Sequence, residues 1–343
     1  MEAGSSRLRL RAFAKVNLSL TILGRRPDGY HEIDSLMHRI AWWDDVELVL
    51  LPGGELRLVV ESDGEESPPV PNGPENLVLK AARWLRDTFG VRDGAEIRLR
   101  KRVATSAGLG GGSADAAVVL RGLRRLWRIP VRLADLRVAA ATVGADVPFL
   151  LGGRAARVRG IGERIEPLPA WPGLHLVLLP LPRPVPTAWA YAAWDAYTLR
   201  RAPNTRPIPQ PGAQDALHDL RHDGTPPPAC SWEAAAGAPG SRVGVVTGAP
   251  ATAVLNGFVR SFLARDLDGM ARYARNDFEP VVTAHYPEVQ RALSDLRAAG
   301  AVAARMTGSG PTVWGLYASR EEAERAWRHL RQAYPQARLT RTL

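Results

Sequence analysis

The sequence predicts an α+β protein of two domains, on three observations. A period-two run, Ala95 to Val103, leads into the glycine-rich stretch Ala107-Gly108-Leu109-Gly110-Gly111-Gly112-Ser113-Ala114-Asp115, after which Ala116, Ala117, Leu120, Leu123, Leu126 and Trp127 recur at helical spacing. The C-terminal part reads as helix, strand, glycine turn, strand, helix, strand, an α/β sandwich. The 343 residues, 45% hydrophobic and 23% charged, suffice for two ordinary globular cores.

In chain order, residues 8–23 read as a long strand. Its even positions, Leu8 to Ile22, are all apolar, and Lys15 and Asn17 share the other face about 7 Å apart. A solvated face is the alternative for those two. Gly24 to His31 is a turn-rich loop ending in Tyr30-His31, which suits a nucleobase or, equally, a structural pair. Residues 46–51 and 56–60 read as a hairpin around Pro52-Gly53-Gly54. Asn76 to Phe89 is a helix stopped by Gly90. Lys101 is in phase with Ile97, Leu99 and Val103, and either reaches toward a nucleotide or snorkels to the sheet edge.

Beyond the glycine run, 133–143 form a second helix ending before Gly144-Ala145-Asp146-Val147-Pro148. Asp146 is a lone carboxylate among small and apolar residues, which is costly unless it is paired, functional or a helix cap. Strands follow at Ala155–Arg159 and Leu174–Leu179, and a helix starts at Thr187, carrying Tyr191. Residues 200–250 lose periodicity and read as a Pro/Gly-rich insertion; His218, His222 and Cys230 fall there without metal-site spacing. Helical spacing returns at 253–264, 267–274 and 287–299, with Gly300 as a stop. Strands at 301–306 and 313–317 flank a second glycine loop, Thr307-Gly308-Ser309-Gly310, and a helix at 321–332 and a last strand follow.

A strand, a bare glycine loop and a helix N-terminus bring unpaired amide N–H groups and the positive end of a helix dipole to one point, a site for a chain of phosphates. A tight turn is the alternative. The spacing fits neither the P-loop nor the dinucleotide fingerprint. Composition narrows the rest. A single cysteine leaves no intramolecular disulfide framework and fits the cytoplasm. No apolar run is long enough to span a bilayer. The net charge of +10 comes from scattered arginines rather than a basic block, so nucleic acid is not an expected partner. Only three of the 45 basic residues are lysines, and Lys15 and Lys101 fall in the stretches singled out here.

The glycine loop resembles that of the GHMP kinases. Ala14-Lys15-Val16-Asn17-Leu18 with Asp28-Gly29-Tyr30-His31, Gly108 to Asp115, Gly144 to Pro148, Asn276 to Glu279 and Thr307 to Gly310 are similar, in that order, to the GHMP family that phosphorylates 4-diphosphocytidyl-2-C-methyl-D-erythritol. The resemblance implies the two-domain GHMP kinase fold. Residues 1–165 would form a ribosomal protein S5 domain 2-like domain with the ATP loop, and 166–343 a ferredoxin-like sandwich carrying the 200–250 insertion. It implies an ATP- and Mg²⁺-dependent cytoplasmic kinase of the non-mevalonate isoprenoid route, acting on a small molecule as a monomer or homodimer. Carried over by residue, Asp146 is the base and Lys15 its electrostatic partner. Gly108, Leu109, Gly110, Gly111, Gly112 and Ser113 hold the phosphates, with Asn76, Leu77 and Lys101 near the adenosine. Tyr30 and Tyr191 sandwich cytosine, His31 reads its polar edge, and Asn17, Thr187 and Asp146 line the substrate. No dedicated metal ligands are implied. Two departures stand out: Ala104 replaces a usual proline, and the insertion exceeds the family's length.

A GHMP kinase for another small alcohol is the nearer rival reading, disfavoured by Tyr30, His31 and Tyr191. A basic RNA-binding protein is the more distant one. It requires a basic face interleaved with aromatics, which the sequence lacks.

Overall fold

The computed structural model describes residues 6–62, 71, 73–201 and 248–343. The expected insertion, with His218, His222 and Cys230, lies almost wholly outside them. Two long strands, β1 (Arg7–Arg25) and β2 (His31–Leu51), form an antiparallel hairpin in register from Arg7↔Val49 to Arg25↔His31. Its turn is closed by the Asp28 carboxylate, which accepts from the Tyr30 N–H at 3.1 Å, with Gly29 at φ +86°. Bulges between Phe13 and Lys15 and between Asn17 and Ser19 re-aim the middle of β1.

The expected hairpin of 46–51 with 56–60 does not form. β3 (Leu56–Ser62) pairs in parallel with β4 (Gly94–Lys101), and β4 pairs antiparallel with the end of β2. Pro52–Gly54 is a 3₁₀ turn that carries the chain past the end of β4, where the Ala95 N–H donates to Glu55 O at 2.8 Å. The sheet order is β3-β4-β2-β5-β6, with β1 on β2; β5 is Ala155–Gly160 and β6 Arg164–Leu168.

Helices α1 (Leu77–Thr88), α2 (Gly111–Leu126), α3 (Leu133–Ala139) and α4 (Val147–Leu151) belong to this half. Leu85, Leu120, Leu123 and Phe149 bury against Leu48, Ile97 and Leu99 of the sheet, forming the first core. In the C-terminal half, β7 (His175–Leu179), β8 (Ala303–Met306), β9 (Val313–Tyr317) and β10 (Arg338–Arg341) make an antiparallel sheet ordered β10-β7-β9-β8. Its helices are α5 (Thr187–Arg201), α6 (Gly248–Ala264), α7 (Leu267–Tyr273), α8 (Glu279–His285), α9 (Pro287–Ala298) and α10 (Arg320–Leu330).

Alternation along β7 and β9 gives that sheet two buried faces. Val177, Leu179, Val313 and Tyr317 pack on α8, α9 and α10. Leu176, Leu178, Trp314 and Leu316 pack on Val16 and Leu18 of β1 and on Phe258 and Phe262 of α6. The Trp314 indole donates to Asn17 O at 3.0 Å. The middle of β1 is therefore the seam between the halves, and Lys15 and Asn17 sit on it. No helix among the described residues is long and apolar enough to cross a membrane.

Candidate active site

β4 ends at Lys101, and the chain reaches α2 through the glycine run. Gly108 (φ +72°) and Gly110 (φ +65°) are left-handed, a conformation glycine adopts without steric cost. Gly110 is the N-cap position of α2, so the first amides of that helix are not covered by a capping side chain. A methyl group on Gly108 would overlap the carbonyl oxygen of Thr307, and one on Gly308 would stand 3.3 Å from the Gly108 Cα. The two glycine loops thus meet main chain to main chain. Gly112 is exposed at the start of α2, Ser113 is half-buried, and the Leu109 side chain is buried in the seam core. Asn76 caps α1, its side chain accepting from the Val78 N–H at 2.8 Å, and Leu77 begins that helix beside Gly112.

Lys15 and Asp146 converge on this loop. The Lys15 ammonium donates to Gly108 O at 3.0 Å and to the Asn17 amide oxygen at 2.7 Å, and lies 3.4 Å from Asp146 Oδ2. Its backbone N–H donates to Leu109 O at 2.9 Å. Asp146 precedes α4 without capping it and keeps a side-chain exposure of 27% against 4% for Lys15, so the carboxylate faces the opening and the ammonium lies behind it. Asp146 stands in the turn at the N-cap position of α4, as its sequence context allowed, but its side chain makes no cap bond and lies beside Lys15 instead. Lys15 and Asn17 do share a face, and that face is buried rather than solvated.

Asn17, expected to line the substrate, lies beneath the site. Its oxygen accepts from Lys15 and Thr307, and its amide donates to Ser35 Oγ at 2.8 Å. Thr307 Oγ1 completes the network with a bond to Gly108 O at 3.1 Å. Lys101 is also redirected. Its ammonium is buried between Asp44 (2.5 Å) and Asp115 (2.8 Å), under the start of α2, instead of open to a nucleotide or snorkelling to the sheet edge. Asp44 further accepts from the N–H groups of Arg102 and Val103. Burial, partly offset by Lys101, pushes the Asp115 carboxyl up to about 7. The Lys101 ammonium is held above its ordinary value against burial by Asp115 and Asp44.

Across the mouth, Tyr30 is 55% exposed at the β1–β2 turn. The His31 ring stacks on Tyr191 with centroids 4.4 Å apart, and its Nε2–H donates to Asp195 Oδ1 at 2.7 Å. One face of the Tyr191 ring is therefore covered by His31, and the Phe278 ring meets it edge-on at 4.9 Å. Burial, then the Asp146 charge, pushes the Tyr191 hydroxyl up to about 12. Thr187 Oγ1 is 3.0 Å from Ser309 Oγ, which ties α5 to the second glycine loop. Sequence reasoning missed Asp44, Asp115 and Asp195 as partners. Only Asp195 carried a signal, standing four residues after Tyr191 on the same face of α5. Among the described residues no group of three or more His, Cys, Asp or Glu side chains could hold a metal ion.

Two family models match the chain: the GHMP kinases N terminal domain over residues 76–154 and the GHMP kinases C terminal over 258–336. The chain is 38% identical to the 4-diphosphocytidyl-2-C-methyl-D-erythritol kinase of Pelotomaculum thermopropionicum, covering 96% of each chain. It is 36% identical to that of Symbiobacterium thermophilum, over 98% of this chain and 100% of the relative. A crystal structure of 4-(cytidine 5′-diphospho)-2C-methyl-D-erythritol kinase superposes with a TM-score of 0.69 at 30% identity, covering 98% of this chain and 100% of that one. Homoserine kinase from Cytophaga hutchinsonii, at 18% identity and a TM-score of 0.66, shares the fold. The α+β GHMP kinase fold expected from the motifs is the one observed, and the chain belongs to the 4-diphosphocytidyl-2-C-methyl-D-erythritol kinase family of the GHMP kinases.

Proposed function

We propose that the chain transfers the terminal phosphoryl group of ATP to the 2-hydroxyl of 4-diphosphocytidyl-2-C-methyl-D-erythritol. The products are the 2-phosphate and ADP, in the cytoplasmic methylerythritol phosphate route to isopentenyl diphosphate. The observation that carries this reading is the Lys15–Asp146 pair, 3.4 Å apart, with Lys15 also bonded to the loop that starts the phosphate cradle. Together with the family membership, it supports a reading in which Asp146 is the base and Lys15 the cation at the point of transfer.

In this mechanism Asp146 Oδ2 accepts the proton of the substrate hydroxyl as its oxygen attacks phosphorus. The Lys15 ammonium lies 3.4 Å from that carboxylate and stands against the charge on the moving phosphoryl group. Amides from Gly110 to Ser113 hold the phosphate oxygens at the positive end of α2. Asn17 and Thr307 fix Lys15 from behind and are positioning residues. Lys101, with Asp44 and Asp115, fixes the first turn of α2. Asn76 and Leu77 bound the nucleotide side, and Thr187 the substrate side.

The donor set near the loop suits Mg²⁺ carried in by ATP: Asp146 and Ser113 offer hard oxygens, and among the described residues no protein cage competes with the phosphates. When bound, the ion neutralises phosphate charge. Tyr30 offers an exposed ring for cytosine. His31, oriented by Asp195 and packed on Tyr191, offers its second ring nitrogen to the base edge.

The test is an ADP-release assay with Mg-ATP and the cytidyl substrate, alongside mevalonate, homoserine and galactose. Turnover with the cytidyl substrate alone supports the reading. Turnover with another alcohol keeps the Asp146–Lys15 chemistry and overturns the substrate.

A further inference from the structure

On α5, Tyr191, Trp194 and Asp195 occupy positions i, i+3 and i+4 of one helix face, and all three meet the His31 ring. Tyr191 stacks on it with centroids 4.4 Å apart, and Trp194 meets it edge-on at 5.9 Å. Asp195 Oδ1 lies 2.7 Å from its Nε2. The His31 side chain is 8% exposed, and these contacts fix the plane of the ring. The carboxylate is anchored in turn. Arg25 and His31 are partners on the rung of the β1–β2 hairpin nearest its turn, and the Arg25 guanidinium stands 3.8 Å from Asp195 Oδ2. The cluster borders the active site, since the Asp146 charge bears on the Tyr191 hydroxyl.

A carboxylate offers only acceptors, so the proton it receives sits on His31 Nε2. The bond made at one imidazole nitrogen sets the state of the other, and Nδ1 is left as an acceptor. Nδ1 has no hydrogen-bond partner among the described residues, and it is not one of the polar atoms closed off from solvent. An acceptor held in place selects a donor. Cytosine presents its 4-amino group on the pairing edge, whereas uracil carries a carbonyl oxygen at the same position, which sets acceptor against acceptor. We propose that Asp195 is a positioning residue which, by holding His31 as the Nε2–H tautomer, makes the site take a 4-amino pyrimidine and reject a 4-oxo one. The inference rests on the proposed function, in which His31 meets the base, and adds the residue that decides between cytosine and uracil.

The test uses the full chain, its Asp195→Asn variant, and two substrates: the cytidyl substrate and its uridyl counterpart, with oxygen in place of the 4-amino group. The wild type is expected to prefer the cytidyl substrate at least about tenfold in kcat/KM. The asparagine amide can accept from Nε2–H or donate to a bare Nε2, so the variant allows both tautomers. Its KM for the cytidyl substrate is expected to rise and its preference over the uridyl one to fall at least about fivefold. Long-range ¹H–¹⁵N spectra of histidine-labelled protein, with the His31 signals assigned by their loss in His31→Gln, read the tautomer directly and independently of how the variants fold. The Nε2–H form is expected in the wild type. An Nδ1–H or doubly protonated His31 at the assay pH, a wild type without preference for cytosine, or a variant that loses both substrates equally overturns the proposal. A wild type that does not turn over the cytidyl substrate overturns the proposed function instead.

Discussion

Replacing Lys101 by methionine isolates what the buried ion cluster contributes. The side chains of Lys101, Asp44 and Asp115 are 4%, 0% and 2% exposed, so solvent screens none of their charges. Methionine fills much the same volume but leaves two carboxylates facing each other in the core. Removing one partner of a buried pair costs about 3–5 kcal/mol, because the remaining charge loses its compensation. With a urea dependence of about 2 kcal/mol per molar, the unfolding midpoint falls by roughly 1.5–2.5 M. Asp44 keeps two backbone donors, Arg102 and Val103, whereas one Asp115 oxygen has no partner among the described residues. Adding Asp115→Asn to the methionine variant therefore removes the worse-placed charge and recovers about 1–2 kcal/mol. Urea titration of the three proteins by fluorescence checks this. A midpoint loss below about 0.5 M for the single variant, or no recovery in the double one, refutes the account of Lys101 as the compensating charge under α2.

Asp146→Asn should lower turnover about 10²- to 10⁴-fold in steady-state assays while ATP affinity, measured by calorimetry, stays within about twofold. Gly108→Ala should weaken ATP binding and lower the melting temperature together, since the added methyl meets the Thr307 carbonyl in a left-handed backbone; unchanged values of both would contradict the loop contact. Tyr30→Ala should raise KM for the cytidyl substrate at least about tenfold and leave that for ATP nearly unchanged; equal losses would make Tyr30 structural. Glu279 gives a pH prediction. Its carboxylate accepts from the Met306 N–H, and burial pushes it up to about 7 from 4.5. The native state then binds the proton more tightly than the unfolded chain. This group's contribution is full below about pH 4.5 and is lost as pH rises through about 7. Glu279→Gln, which keeps the acceptor, should gain stability relative to the wild type from about pH 5 to about pH 7.5 in parallel urea titrations.

Much of the site could be read from the sequence because its signals are local. Alternation put Lys15 and Asn17 on one face of β1, and they bond at 2.7 Å. The strand–glycine–helix order marks the loop, and the helix read from Asn76 begins one residue later, with Asn76 as its cap. What was missed depends on partners distant in the chain. Residues 33–38 of β2 are buried on both faces, so they show no alternation and gave no strand signal. β3 looked like the return arm of a hairpin because nothing near it reveals that β4 takes the place between it and β2. From sequence Lys101 reads as a nucleotide contact or a snorkelling lysine because Asp44, 57 residues earlier, cannot be seen as its partner before folding. The His31–Asp195 bond spans 164 positions, and it turned an expected base reader into one held from behind.

The meeting of Gly108 with Thr307 and Gly308 bears on how such chains can be recombined. Side-chain interfaces tolerate the exchange of one partner, because rotamers adjust to a new neighbour. Here both surfaces are bare main chain, and neither can repack. A chimera with this N-terminal half and a relative's C-terminal half would inherit one side of the contact, and a mismatch of about 1 Å has nothing to absorb it. The two loops behave as a single heritable part split across the sequence, so crossovers should preserve function only where both loops come from the same parent.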